Sequence, residues 1–258
     1  MNESETVEVL LHHLMQTSGL AVNEDEYLTD WYRGVRLKYQ DNLQQTEIFN
    51  GCLNSLFGGF NANSVGQAFV YGYESAIQQL TRLDTLHTLA AFCVTEQKST
   101  HPQAMQTTLH EESNKQFKLN GKKNFVTLAG SSQRLLVAAK AGVTAEGRNL
   151  IKLVKVEASL PGVEIKILPS LPFIPDVSHG VVTFESVLLE SKDVYAGDGY
   201  SDYVKPFRWF EDINVFTALA GYLFKIAYLY RWTTAAQTEM ISILSALVGL
   251  QSMKADEV

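Results

Sequence analysis

Cysteine is scarce in this 258-residue chain, with Cys52 and Cys93 the whole complement. Two cysteines do not make a disulfide framework, so an apolar core must hold the fold. Cys93 lies between Phe92 and Val94 in a strand-like stretch and reads as a reduced packing residue. Positive charge is also short. A net charge of −7 excludes a general nucleic-acid binder, which needs a basic face. The chain has no Gly-x-Gly-x-x-Gly and no Walker loop. Its strand-like segments do not alternate with helices, so a Rossmann fold is not expected. No basic stretch followed by an apolar one opens the chain. A secretory signal is therefore not expected, and a cytoplasmic location is, with an organelle interior as the alternative. The longest apolar run, residues 213–230, approaches the length of a membrane span. Asn214 and Lys225 interrupt it, and Arg208, Glu211 and Asp212 precede it, so a buried helix is expected there.

What is present divides into three parts, expected as a helical region at 1–85, a β-rich domain at 86–200 and a second helical region at 201–258. In the first part Val7, Leu10, Leu11 and Leu14 recur at helical spacing. Trp31 and Val35 mark a second helix. Gly58-Gly59 and Asn61 to Asn63 read as a loop, followed by a helix over 64–80 with Phe69, Tyr73, Ile77 and Leu80 on one face. Gly66, Ala68 and Gly72 are spaced for close helix packing.

From about 88 to 189 the period falls to two. Strands are predicted at residues 89–95, 106–110, 116–119, 124–128, 135–139, 150–156, 163–168 and 181–184. Short strands with frequent turn signals predict a central antiparallel barrel or sandwich. Asn120-Gly121 predicts a hairpin, because a tight turn of that type needs positive φ. In the last part Phe216, Leu219, Leu223, Ile226 and Tyr230 stripe one helix. Ile241, Leu244, Leu247, Val248 and Leu250 stripe another. The two are expected to pair as a helical hairpin, so the fold class is α+β.

Beyond the Asn-Gly pair, Phe125 and Thr127 point one way and Val126 and Leu128 the other. One face thus carries a ring and, ~7 Å along, a hydroxyl. That is either ordinary strand composition or a platform for a flat heterocycle. Upstream stands Phe92-Cys93-Val94-Thr95-Glu96. Together Phe92, Val94, Thr95 and Glu96, then Asn120, Gly121, Lys123, Phe125, Val126 and Thr127, resemble the flavin-binding strands of the acyl-CoA dehydrogenase family, with Phe125 where the family usually has Trp. Residues 181–187 (Val-Val-Thr-Phe-Glu-Ser-Val) resemble the strand that closes that family's barrel.

The resemblance implies an oxidoreductase of fatty acid metabolism with FAD as cofactor, desaturating an acyl-CoA thioester. Thr95 and Thr127 would bond the polar edge of the isoalloxazine, Phe125 would lie against its ring, and Phe92 and Val94 would complete the cofactor-binding strands. It implies a Glu as the base that takes the α-proton, early in the first helix of a bundle. Counting ten residues back from Gly221 gives Glu211, which reads equally as a helix N-terminal acid. The chain is expected to carry about half of that bundle.

Three departures stand against turnover. Asp212 occupies a position where the family usually has Arg. The family's glycine-rich loop reads here Gln97-Lys98-Ser99-Thr100-His101-Pro102; Lys98 and His101 read either as ligand contacts or as solvated residues. Arg231-Trp232-Thr233-Thr234 stands where the family has a motif contacting a neighbouring subunit's cofactor. The alternative is therefore a degenerate homologue serving as a structural or regulatory partner subunit. Both readings imply a homodimer or hetero-oligomer through the C-terminal helices.

Overall fold

The computed structural model describes residues 7, 8, 11, 12, 14, 15, 28–44, 52–85, 88–97, 99–112 and 115–251. Leu10 of the first apolar stripe and Lys98 lie outside the described residues. The chain forms two units, one from Met1–Leu86 with Arg208–Val258, the other His87–Phe207.

Among the described residues the sheet unit has seven strands: β1 Ala90–Cys93, β2 Thr108–Glu111, β3 Gln116–Thr127, β4 Arg134–Val143, β5 Asn149–Glu157, β6 Val163–Ile167 and β7 His179–Glu190. They form one curled sheet. β5 takes one edge of β4; β1 and β2 share the other, and the order continues β2–β3–β7–β6. The expected all-antiparallel pairing is corrected to a mixed sheet, since β1 runs parallel to β4, with Ala90 opposite Arg134 and Cys93 opposite Val137. The two strands are separated by β2 and β3 in sequence, which supplies the long crossover that a parallel pair requires. Inward residues of alternating parity, among them Leu119, Val137, Val154, Val182 and Phe184, make the core.

The Asn120-Gly121 hairpin is also corrected. β3 runs straight through the dipeptide, because β7 pairs with it from Gln116↔Glu190 to Thr127↔His179. The dipeptide instead faces a bulge on β7, where Glu185 and Ser186 together stand opposite Asn120 as the register shifts between Leu119 and Gly121. Gly121 has φ +149, and a Cβ there would lie 2.5 Å from the Thr107 Cα. The Asn120 Oδ1 accepts from the Ser186 N–H at 2.7 Å on the facing strand. A close backbone approach at positive φ and a tight turn make the same demand for glycine, which is why the local sequence suits both.

The helical unit contains α1 Leu28–Gln44, α2 Cys52–Asn61, α3 Val65–Thr81, α4 Lys205–Leu229 (from Arg208 onward) and α5 Thr234–Gln251. Trp31, Tyr32, Val35 and Arg36 form the buried side of α1. α3 starts where Ser64, in extended conformation, accepts from the Gln67 N–H, and stops at Arg82, φ 58, whose N–H returns to the Gln78 carbonyl. Gly58-Gly59 is not a loop but part of α2. A Cβ on Gly59 would meet the Ala218 carbonyl of α4 at 1.8 Å, and one on Gly72 would meet the Val215 Cα at 2.6 Å. These glycines let α2 and α3 approach α4 closely, so helix packing outweighs the loss in propensity of about 1 kcal/mol each. Between the helices the Ser55 hydroxyl donates to the Asn214 Oδ1 at 2.7 Å, and Asn214 donates to the Gln79 Oε1 at 3.0 Å.

The stripe predicted for this helix as a packing face points outward at two positions of α4 and at Tyr230 just past its end. Phe216, Leu223 and Tyr230 are 57%, 44% and 73% exposed. The buried face is Ile213, Val215, Ala218, Phe224 and Ala227. Both sides of this helix are apolar, so periodicity did not distinguish them. No helix among the described residues is long and apolar enough to cross a membrane.

Candidate functional site

The structure gathers the sequence-predicted residues of the sheet unit at the end of β1 and the second half of β3. Phe92 is buried, and its ring stacks on Phe207 at 4.1 Å and 22°. Val94 is buried as well. Thr95 follows, and its carbonyl accepts from the Asn124 N–H at 2.9 Å, which ties the segment after β1 to β3.

On β3 the ladder with β7 shifts again, from Lys123↔Val182 to Val126↔Gly180. Asn124 and Phe125 thus oppose a single residue of β7. Phe125 sits at φ 56, uncommon for a bulky residue. The bulge turns its ring out, leaving Phe125 58% exposed, while Val126 and Leu128 are buried. Bulges recur beside binding sites because they re-aim one side chain without moving the strand. Thr127 closes the strand opposite His179 and is half-buried, as is Thr95. Among the described residues no hydrogen bond engages the hydroxyl of Thr95 or Thr127. Two half-buried hydroxyls with free bonding capacity, on the strand end that displays an exposed ring, fit a planar polar guest such as an isoalloxazine better than a closed core.

One pair was missed by the sequence reading. Lys123 is fully buried. Its ammonium donates to the Glu96 Oε1 at 2.6 Å and to the Val94 carbonyl at 3.1 Å. The Glu96 carboxylate also accepts from the Gln106 N–H at 2.7 Å and the Thr107 N–H at 3.1 Å. Burial pushes the Glu96 pKa up, but the Lys123 ammonium and the backbone donors outweigh it and hold the carboxyl below its usual range. The signal was parity. Leu119, Gly121 and Lys123 alternate on the inward side, and a lysine at such a position demands a partner. Placing a hairpin at Asn120-Gly121 reset the count and hid it.

Glu211 lies in the helical unit, on the second turn of α4. That helix begins at Lys205, with Pro206 in its first turn, and has no acid there. The reading of Glu211 as a helix N-terminal acid is therefore corrected, since the dipole's influence fades beyond the first turn. Burial, with Asp212 adding to it and Arg208 opposing, raises the Glu211 carboxyl to about 7. Asp212 pairs with Arg208 at 3.5 Å.

Glu96 and Ser99 exchange both backbone bonds, at 2.9 and 2.7 Å, around Gln97 at φ 42. The exposed His101 caps the short helix Pro102–Ala104, its Nδ1 accepting from the Gln103 N–H. Arg231 stands exposed in the turn between α4 and α5 at φ 52.

The family described as acyl-CoA dehydrogenase, middle domain, matches residues 91–187. No curated protein matches the chain. Among solved structures, butyryl-CoA dehydrogenase from Megasphaera elsdenii is similar with a TM-score of 0.62 at 17% identity, over 97% of this chain and 76% of that one. Glutaryl-CoA dehydrogenase from Mycobacterium smegmatis gives 0.60 at 13%, over 96% and 73%. The prolyl acyl carrier protein oxidase AnaB gives 0.61 at 14%, over 88% of this chain and 66% of its own. At these identities the likeness is one of fold, and the chain spans about two thirds to three quarters of their length.

Proposed function

For this chain, a relative of the acyl-CoA dehydrogenases that spans part of the family's length, we propose a flavoprotein acting on an acyl-CoA thioester. The observation that carries the reading is the outward Phe125 ring on a strand whose Thr127, like Thr95, has a half-buried hydroxyl with no partner among the described residues. In this reading Thr95 and Thr127 bond the polar edge of FAD and Phe125 covers its ring. FAD, when bound, supplies an acceptor for the hydride that leaves the β-carbon of the acyl chain. Glu211 takes the α-proton. A carboxyl raised to about 7 is suited to that task, because a base works best when its pKa lies near working pH.

The test is direct. Purified protein incubated with FAD and desalted should keep an absorption band near ~450 nm, and anaerobic acyl-CoA should bleach it. A colourless protein overturns the reading. Glu211→Gln should keep the colour and lose the bleaching; unchanged bleaching removes Glu211 from its role.

A second reading, a non-catalytic partner subunit, is favoured by the stripe that runs along α4 to Tyr230 just past its end. Phe216, Leu223 and Tyr230 recur every seventh residue and are exposed, which suits burial against another helical surface. A protein that keeps flavin colour, never bleaches and sediments as a dimer supports that reading. A monomer at micromolar concentration excludes self-association.

A further inference from the structure

We propose that the buried Glu96–Lys123 pair is a positioning device that sets where Thr95 and Phe125 stand, and hence how tightly the flavin is held. The inference rests on the FAD reading above. The argument is one of connectivity. Lys123 donates to the Val94 carbonyl and to Glu96, the two residues that flank Thr95. The Asn124 N–H, one residue on, donates to the Thr95 carbonyl. Thr95 is therefore held at three consecutive residues by two consecutive residues of β3. The same two residues lead into the bulge that turns Phe125 outward.

Glu96 anchors the other side. Its oxygens hold the Gln106 and Thr107 amides, and the Thr107 carbonyl accepts from Lys140 of β4 at 2.8 Å. A fully buried ammonium with a buried carboxylate has few alternative arrangements, since any displacement leaves a charge unpaired in an apolar interior. The pair thus fixes position more strictly than apolar packing of the same volume. Glu96 and Lys123 are positioning residues and need not touch the flavin.

The experiment separates position from stability. In Glu96→Gln/Lys123→Met the charges are gone, and the new side-chain amide oxygen still accepts from the Gln106 and Thr107 amides. The tether to the Val94 carbonyl is lost. Midpoint urea concentration should return close to wild type, while FAD affinity, measured by flavin fluorescence titration, should fall about tenfold or more. Recovery of FAD affinity together with stability overturns the proposal and leaves the pair a structural element only. Should the double variant fail to fold, Lys123→Arg keeps the charge but moves its donors. It should keep the fold and bind FAD about tenfold less tightly; unchanged affinity overturns the proposal. If wild-type protein takes up no FAD, the parent reading fails, and hydrogen exchange at the Asn124 amide decides this one. Exchange about tenfold faster in the variant supports the tether, and unchanged exchange overturns it.

Discussion

Two lysines are buried among the described residues, one in each unit, and they are held in different ways. Lys123 in the sheet unit has a carboxylate 2.6 Å away. Lys225 in the helical unit donates to the Ala62 carbonyl, just past the C-terminus of α2, and lies 5.6 Å from the centre of the Tyr222 ring. Burial lowers both pKa values. For Lys123 the Glu96 partner opposes that fall; for Lys225 burial acts without a carboxylate, and the value comes down to about 8. A cation buried with an anion is a fixed part of the architecture. A cation buried with a carbonyl is a group that titrates near neutral pH.

The largest expected effect comes from breaking the first arrangement. Lys123→Met leaves the Glu96 carboxylate buried without its counter-charge and should cost about 3–5 kcal/mol in urea unfolding. The loss should depend on pH. The Glu96 carboxyl sits below its unfolded value of 4.5 in the folded state, so its contribution is present above that value and disappears as pH falls through the folded one. In the variant this dependence should weaken. A cost under about 1 kcal/mol would put the pair on a level with an exposed ion pair and end the contrast.

The two units also differ in how far the sequence disclosed them. In the sheet unit period two gave the position of every strand, and it gave the division between outward Phe125 and inward Val126 and Leu128. It could not give the connection at Asn120-Gly121, because β7, the long strand whose pairing carries β3 straight through the dipeptide, lies far along the chain. In the helical unit Ser64 marked the start of α3 correctly. Gly58 and Gly59 misled, because their use is tertiary: Gly59 faces the α4 backbone, and a chain read locally sees only a helix breaker. The raised pKa of Glu211 was likewise undecidable from sequence. Its sign depended on whether burial or a helix terminus prevailed, and the terminus lies at Lys205, a full turn and more away.

Glu211 extends the comparison from cations to carboxylates. Glu96 is paired with a lysine and shifted down; Glu211 is dominated by burial and shifted up, to about 7. The folded state therefore holds a proton on Glu211 that the unfolded chain releases above 4.5. Its stabilising contribution is complete below that value and is lost as pH rises through about 7. Glu211→Gln should remove that loss and stabilise the protein by about 1–3 kcal/mol at pH ~8, with little change at pH ~4. If the two proteins show parallel stability profiles between those values, Glu211 ionises without penalty, and the pH argument for it as a base goes too.

The smallest effect is expected at Lys225, and its pH dependence runs opposite to that of Glu211. Here the folded value of about 8 lies below the unfolded 10.5. Between them the unfolded chain holds the extra proton, so stability should rise with pH across that window, and the penalty for charging the amine is complete below it. Lys225→Met loses one hydrogen bond to Ala62 but also loses that penalty. The net change at pH ~7 should stay within about 1 kcal/mol of zero, and the rise in stability between pH 8 and 10.5 should flatten. Measured side by side, Lys123→Met and Lys225→Met make the same chemical change at two buried sites. Equal losses would mean that depth of burial, and not the identity of the partner, decides what a buried lysine contributes to this fold.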